Sequence, residues 1–338
     1  MTHSRRGFLK TAAATAAFAG VPRLAAASPT TGQPVTPDQI IDLFTPLPGE
    51  TAIKILVPAR GFVEPEFVAQ LNSQRRLFVA SANKTFALCK ALQQVDLPDV
   101  VEKLETTPLD LNASIWSQPG SPFFNPPHLK GTISERATLE AMIMNSDNTA
   151  TDMIFKLAGV DNIRALIASL GLTQTVIPDS TRAFAAYLFG AKNYKTITWD
   201  ELEELLKDGH LEHDFLNDVE TLASSADDFV SYYSQALPGG LFKHAQTLNE
   251  FRRILTLCDF IYLIPLPLGA SVYAKSGNAD VPDFHARSIA GGLFVSNRWV
   301  YFAFIINWYA PEADDPETTD NFFAAINNAL SLVMNSLS

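Results

Sequence analysis

Apolar and polar positions recur along this chain with two periods, and these periods divide it into three parts. Near the front, Thr36 precedes "PDQIIDLFTPL", an apolar-periodic run with a capping threonine and proline in its first turn, which predicts a short helix. "TAIKILVPA" (51–59) and "RRLFVA" (75–80) are rich in branched and aromatic residues and predict strands. Directly after them, "SANKTFALCKALQQV" spaces Phe86, Leu88 and Leu92 as a helix does, with no Gly or Pro to interrupt it. The middle of the chain keeps the helical period. "GTISERATLEAMIMN" has Ser134 as a candidate N-cap and Leu139, Met142 and Ile143 on its apolar face, and "SDNTATDMIFKLAG" runs to Gly159. "TWDELEELLKDG" opens with a capping box, Thr198 with Glu201, and stops at Gly209.

The last third changes to strand patterning. "ASVYAKSG", "HARSIAGGLFV" and "RWVYFAFIINWY" are separated by turn-forming residues, and "DNFFAAINNALSLVMNSL" closes the chain as a helix apolar on one face. Strands at both ends with helices between them predict an α+β fold, in which one antiparallel sheet is built from both chain ends around a helical region. Neither repeats nor a low-complexity linker mark a second core. Residues 192–228 hold eleven acids and three lysines and predict a solvated, acidic helical insertion near 183–228.

The first residues stand apart from this pattern. "SRRGFLK" pairs Arg5 with Arg6 ahead of Phe8 and Leu9, a weakly apolar alanine-rich run follows, and "LAAAS" offers small residues for cleavage. Residues 1–27 thus resemble a twin-arginine signal peptide, which implies the twin-arginine export machinery and signal peptidase as partners and a periplasmic or secreted product, residues 28–338. Cleavage near Ala27 removes four basic residues and no acid, taking the formal charge from −11 to −15. So acidic a chain is a poor partner for nucleic acid or an anionic membrane. No later run has a membrane-spanning pattern, since "FIYLIPLPLGASVYA" is short and broken by two prolines. Cys89 and Cys258 are the only cysteines; one disulfide and two buried thiols fit equally well, and without a C-x-x-C no cysteine-based zinc or redox site is expected.

Candidate chemistry lies in three short motifs. Ser81 and Lys84 form an S-x-x-K, a pattern expected on the order of once by chance in a chain of this size. Ser146-Asp147-Asn148 and Lys275-Ser276-Gly277 follow it, each expected on the order of a tenth of a time or less. Together, in the order S-x-x-K, S-D-N, K-[S/T]-G, they are specific. On these motifs the chain resembles the serine β-lactamase and penicillin-binding protein superfamily, and class A β-lactamases in particular, over about residues 36–336.

The physical reading of the same residues agrees with that resemblance. Ser81 at a helix N-terminus meets the positive dipole end. Lys84 lies almost one turn on, where it can act as the base if burial or a second cation, such as Lys275, lowers its pKa. Ser146 can pass a proton to a leaving nitrogen, and Asn148 can bind a substrate carbonyl. Lys275 and Ser276 can receive a substrate carboxylate, and Gly277 leaves room against the strand. The resemblance implies an oxyanion hole made by the backbone N–H groups of Ser81 and Asn278. Asp147 reads as a structural hydrogen-bonder. Arg287, on the next strand, can also meet the carboxylate or be an ordinary strand-edge arginine.

One family element is missing. Class A enzymes carry an E-x-x-L-N segment about 35 residues past S-D-N, which activates the deacylating water. Here that window reads "TVIPDSTRAFAAYLFG", whose only acid, Asp179, is a possible deacylation base or a structural aspartate. "HLEHD" (210–214) has ligand-like spacing but lacks a third partner, so neither a metal nor another cofactor is expected. The expected activity is hydrolysis of a β-lactam through a Ser81 acyl-enzyme. The alternatives are a carboxypeptidase or esterase acting on a peptidoglycan peptide or another acyl compound, and a non-catalytic cell-wall binding protein.

Overall fold

The computed structural model describes residues 35–337 apart from 63, 119, 120, 125–128 and 208. The twin-arginine expectation falls on residues 1–27, outside the described residues. Helix α1 (Pro37–Ile41) starts at Thr36, whose hydroxyl accepts from the Gln39 amide while the Gln39 side chain accepts from the Thr36 amide. Strands β1 (Glu50–Val57) and β2 (Phe67–Leu71) follow, then the two-residue β3 (Leu77–Phe78) and a 3-10 turn over Ala80–Asn83. The helical region comprises α2 (Lys84–Gln94), α3 (Val100–Thr106), the hairpin β4 (Pro108–Leu111) with β5 (Gly131–Ser134), α4 (Glu135–Met144), α5 (Asn148–Ala158) and α6 (Val160–Ser169). Helices α7 (Thr181–Leu188) and α8 (Trp199–Leu206), short strand β6 (Ala223–Ser224), α9 (Ala226–Ala236) and α10 (Ala245–Leu255) lead into β7 (Ser271–Val281), β8 (Phe284–Val295), β9 (Arg298–Trp308) and the closing helix α11 (Pro316–Ser336).

The sheet order is β2-β1-β9-β8-β7, antiparallel throughout, so front and back of the chain meet where β1 pairs with β9. This is the α+β plan that the patterning predicts. One strand differs: the sheet's second front strand is Phe67–Leu71, whereas only Leu77–Phe78 of the predicted 75–80 strand pairs, with Ala223–Ser224. Phe67–Leu71 is an edge strand with a single buried residue, Ala69, so it lacks a clean alternation.

Period-two alternation divides the sheet between two cores. On β9, Tyr301, Ala303 and Ile305 face the helical region, while Val300, Phe302, Phe304, Ile306 and Trp308 face α11 and α1. A third cluster was not predicted. In the acidic insertion Leu188, Leu202, Leu206 and Phe215 pack on Phe78 and Ala80 beside the 3-10 turn, and on Val281 and Ala286 at the end of the β7–β8 hairpin. The insertion is therefore solvated on one side only, and its other side is fixed against elements that carry the motifs.

Candidate active site

Ser81 sits in the 3-10 turn directly ahead of α2, half-buried, with Lys84 opening the helix. Several polar side chains hold this turn in place. Asn307, a lone amide within the apolar β9, accepts from the Phe78 amide at 3.0 Å and donates to the Phe78 carbonyl at 2.9 Å. Ser288 on β8 donates to the Val79 carbonyl at 2.7 Å, and Asn83 donates to the carbonyls of Val176 (2.9 Å) and Ala223 (3.1 Å). Ala80, the residue before the serine, is held in the left-handed region at φ 47°. Asn83 lies within the S-x-x-K stretch itself, whereas Ser288 and Asn307 carry no motif; the one signal for Asn307 is a polar residue placed inside an apolar run.

Lys84 is buried, with three acceptors around its Nζ: the Ser146 carbonyl at 2.5 Å, the Asn148 Oδ1 at 2.8 Å and the Ser146 Oγ at 3.3 Å. Burial, and then the charge of Lys275, bring its pKa down from 10.5 to about 7. A lysine so lowered is half neutral near pH 7 and can take a proton, and the Ser146 hydroxyl can turn to exchange one with it. Among the described residues Lys84 makes no hydrogen bond to the Ser81 hydroxyl; bonds of this kind are often long in an empty site and tighten when substrate is present.

The S-D-N motif lies where α4 gives way to α5. Ser146 has φ 53°, a strained backbone that turns its carbonyl and hydroxyl toward Lys84. Asp147 is structural, as expected: it caps α5 by accepting from the Ala150 amide at 2.8 Å and also accepts from the amides of Phe123 (2.9 Å) and Phe124 (2.8 Å). Asn148 reaches Lys84, so the two motifs are one constellation.

The third motif lies on β7. A Cβ at Gly277 would come within 2.8 Å of the Ala82 amide nitrogen and closer still to the Val79 carbonyl oxygen, so only glycine lets this strand approach the serine turn. Lys275 is fully buried, with its Nζ 3.2 Å from Asp259 Oδ1 and 3.4 Å from Ser276 Oγ. Ser276 donates to the same Asp259 oxygen. Burial works against a charge on Asp259, but Lys275 and Ser276 outweigh it and hold the carboxyl below its ordinary pKa. Asp259 has no motif around it beyond being an acid that opens the apolar run "DFIYLIPL".

Asn278 is exposed on the next β7 position, opposite Arg287 on β8. Among the described residues no hydrogen bond joins Arg287 to Lys275 or Ser276. Its guanidinium donates to Asp280 at 2.8 Å and lies over the Trp308 ring, 5.6 Å from the centroid.

In the structure Asp179 lies between two cations. One oxygen accepts from Arg164 and the other from Lys195, each at 2.7 Å, and these partners hold its pKa below the ordinary range. It stands next to Ser180, the N-cap of α7, near the bridge Val176↔Ala223 that closes the neck of segment 177–222. The acid that meets this segment from beneath is Asp152 on α5. Its oxygens accept from the Thr181 amide (2.7 Å), the Thr181 hydroxyl (2.8 Å) and the Arg182 amide (3.1 Å), and burial raises its pKa to about 6.

Cys89 and Cys258 are both free and buried; burial pushes their thiols up to about 12 and about 11. Among the described residues no group of three or more His, Cys, Asp or Glu is arranged to hold a metal, and His213 of "HLEHD" stacks on Tyr187. Among the same residues no helix is long and apolar enough to cross a membrane.

Comparison with solved structures supports the same fold. A class A β-lactamase representative from Bacteroides cellulosilyticus DSM 14838 is 19% identical and superposes with a TM-score of 0.65, over 90% of this chain and 99% of that one. A β-lactamase from Chitinophaga pinensis DSM 2588 is 15% identical with a TM-score of 0.65, over 89% and 98%. PBP-A is 16% identical with a TM-score of 0.62, over 88% and 96%. No curated protein matches the chain in sequence. Residues 53–320 match the β-lactamase enzyme family, a span that includes all three motifs and the insertion, and the chain belongs to that family.

Proposed function

We propose that this protein is a serine hydrolase that works through an acyl-enzyme on Ser81, with a β-lactam amide as the acyl donor. The observation that carries this reading is Lys84: a buried lysine with its pKa lowered to about 7, one helical turn from Ser81 and bonded to Ser146. In the proposed reaction Ser81 Oγ attacks the carbonyl carbon and loses its proton to neutral Lys84. The C–N bond then breaks as Ser146 Oγ delivers a proton to the departing nitrogen and is reprotonated from Lys84. An ester on Ser81 remains, and water hydrolyses it to the free acid. The amides of Ser81 and Asn278 are proposed to hold the oxyanion, and Asn148 the substrate's side-chain carbonyl.

A second reading is favoured by Asp179, which is committed to Arg164 and Lys195 and is thereby poorly placed to activate the deacylating water. On that reading the acyl-enzyme is long-lived, and the substrate is a peptidoglycan peptide or another acyl compound. The paired Arg5 and Arg6 support export by the twin-arginine route to the periplasm or beyond.

The test is intact mass spectrometry, with ring opening followed in parallel, on the mature chain and on Ser81→Ala. A penicillin and a D-alanyl-D-alanine thioester analogue serve as acyl donors. An adduct or turnover in the wild type that is lost in Ser81→Ala is expected. Fast turnover of the penicillin supports the lactamase reading, and a persistent adduct supports the second. Neither adduct nor turnover with either compound would overturn both.

A further inference from the structure

The two donors that the family motif offers to a substrate carboxylate already hold one. Lys275 Nζ lies 3.2 Å from Asp259 Oδ1, and Ser276 Oγ donates to that same oxygen. Asp259 comes from the connection between α10 and β7, and its Oδ1 is also anchored by the Phe260 amide at 3.2 Å. Its side chain is about a quarter exposed (26%), whereas the Lys275 side chain is fully covered. Oδ2 accepts no hydrogen bond among the described residues, so this carboxylate has one oxygen fastened to the motif and one open.

The other cation expected to help a substrate carboxylate is neutralised in the same way. Arg287 donates to Asp280 Oδ1 at 2.8 Å and rests on Trp308. The end of the site formed by β7 and β8 thus pairs each of these cations with an acid. A ligand carboxylate entering beside Lys275 would stand against the Asp259 charge, and like charges set together at a binding site are strongly disfavoured. A group that donates hydrogen bonds would instead find Asp259 Oδ2 as an acceptor.

We propose that Asp259 is a specificity-determining residue, which makes the Lys275–Ser276 subsite select acyl compounds bearing an amide or ammonium group at this position over those bearing a carboxylate. This inference rests on the Ser81 acyl-enzyme reading. It concerns only the ratio between substrates, so a β-lactam carboxylate remains an acyl donor but a slow one. The repulsive element separates the two substrate classes as much as the attractive one does.

The experiment measures the second-order rate of Ser81 acylation, by intact mass, for benzylpenicillin and for its carboxamide, in which the ring carboxylate is replaced by –CONH2. In the wild type the carboxamide is expected to react faster by about tenfold or more, the smallest effect expected from a like charge in contact. In Asp259→Asn the acid-to-amide rate ratio is expected to rise by about tenfold or more, since the repelling charge is gone. A purely structural role for Asp259 would change both rates together and leave the ratio fixed. A wild type that prefers the acid overturns the proposal without recourse to any variant, and so does an unchanged ratio in a folded Asp259→Asn. Acylation of Ser81 by neither compound overturns the acyl-enzyme reading and the proposal with it, a result distinct from acylation at an unaltered ratio.

Discussion

Replacing Lys84 with methionine should alter how stability depends on pH, in a direction and by an amount that follow from its burial. Lys84 has a pKa of about 7 in the folded protein against an ordinary 10.5, because burial and then Lys275 disfavour its charged form. At about 1.4 kcal/mol per pH unit, the fold disfavours the ammonium over the amine by about 5 kcal/mol. Between pH 7 and pH 10.5 the unfolded chain holds a proton at Lys84 that the folded protein lacks. Unfolding therefore takes up a proton in this window, and the wild type becomes more stable as pH rises through it. Below pH 7 both states are protonated and the contribution is flat at its least favourable.

Lys84→Met has no such group. Integrated from pH 7 to pH 9, with half of the folded-state amines neutral at the start, the wild type should gain on the variant by about 2 kcal/mol. Urea denaturation of both proteins at pH 7, 8 and 9 measures this directly, and groups other than Lys84 largely cancel in the difference. Two parallel stability curves would refute the reasoning: they would show that Lys84 is charged in the folded state across this range, and so is not a base.

Three further outcomes follow from the same geometry. Lys275→Met removes the second-largest cause of the lowered Lys84 pKa, so the rise of Ser81 acylation with pH, centred near 7 in the wild type, should move to higher pH; stopped-flow acylation profiles check this. Gly277→Ala drives a Cβ against the Val79 carbonyl and the Ala82 amide and should cost about 1–3 kcal/mol, read as a lowered Tm, together with a loss of acylation because the serine turn must shift. Asp179→Asn breaks two partly exposed ion pairs and should cost about 1 kcal/mol, with faster proteolysis within segment 177–222. The lifetime of an acyl group on Ser81 should stay within about twofold in Asp179→Asn; an increase of about tenfold or more would make Asp179 the deacylation base after all.

What could be read from the chain beforehand divides along a physical line. Ser81 and Lys84 are fixed by a turn and a helix start three residues apart, and Lys275 to Asn278 by one strand, so residue order alone conveys their geometry. The long strands β7, β8 and β9 and the caps at Thr36, Ser134 and Thr198 are legible for the same reason, since each depends on neighbours within a few positions. Strand β2 is not, because an edge strand with a single buried residue carries too little alternation to show. Composition marks residues 183–228 as solvated because acids dominate it. Composition averages over faces, and the buried Leu202, Leu206 and Phe215 are visible only once Phe78 and the β7–β8 hairpin supply the surface they cover.

Asp259 belongs to the same class as that third cluster. It is sixteen residues before Lys275, off any regular element, and nothing local indicates that it turns back onto the motif. Asp179 is the converse case: its position in the chain suggested chemistry, and only the folded partners Arg164 and Lys195 show that both of its oxygens are occupied. The residues proposed to make and break bonds at Ser81 thus each lie in a short local motif, although Ser146 meets Lys84 only by a contact across 62 residues. Those proposed to decide which acyl group enters, and how long it stays, are set by tertiary contacts alone. On the proposal made for Asp259, a chain of this family keeps every short motif and still changes its substrate, because the single carboxylate that a loop sets against Lys275 and Ser276 would reverse the charge preference of that subsite.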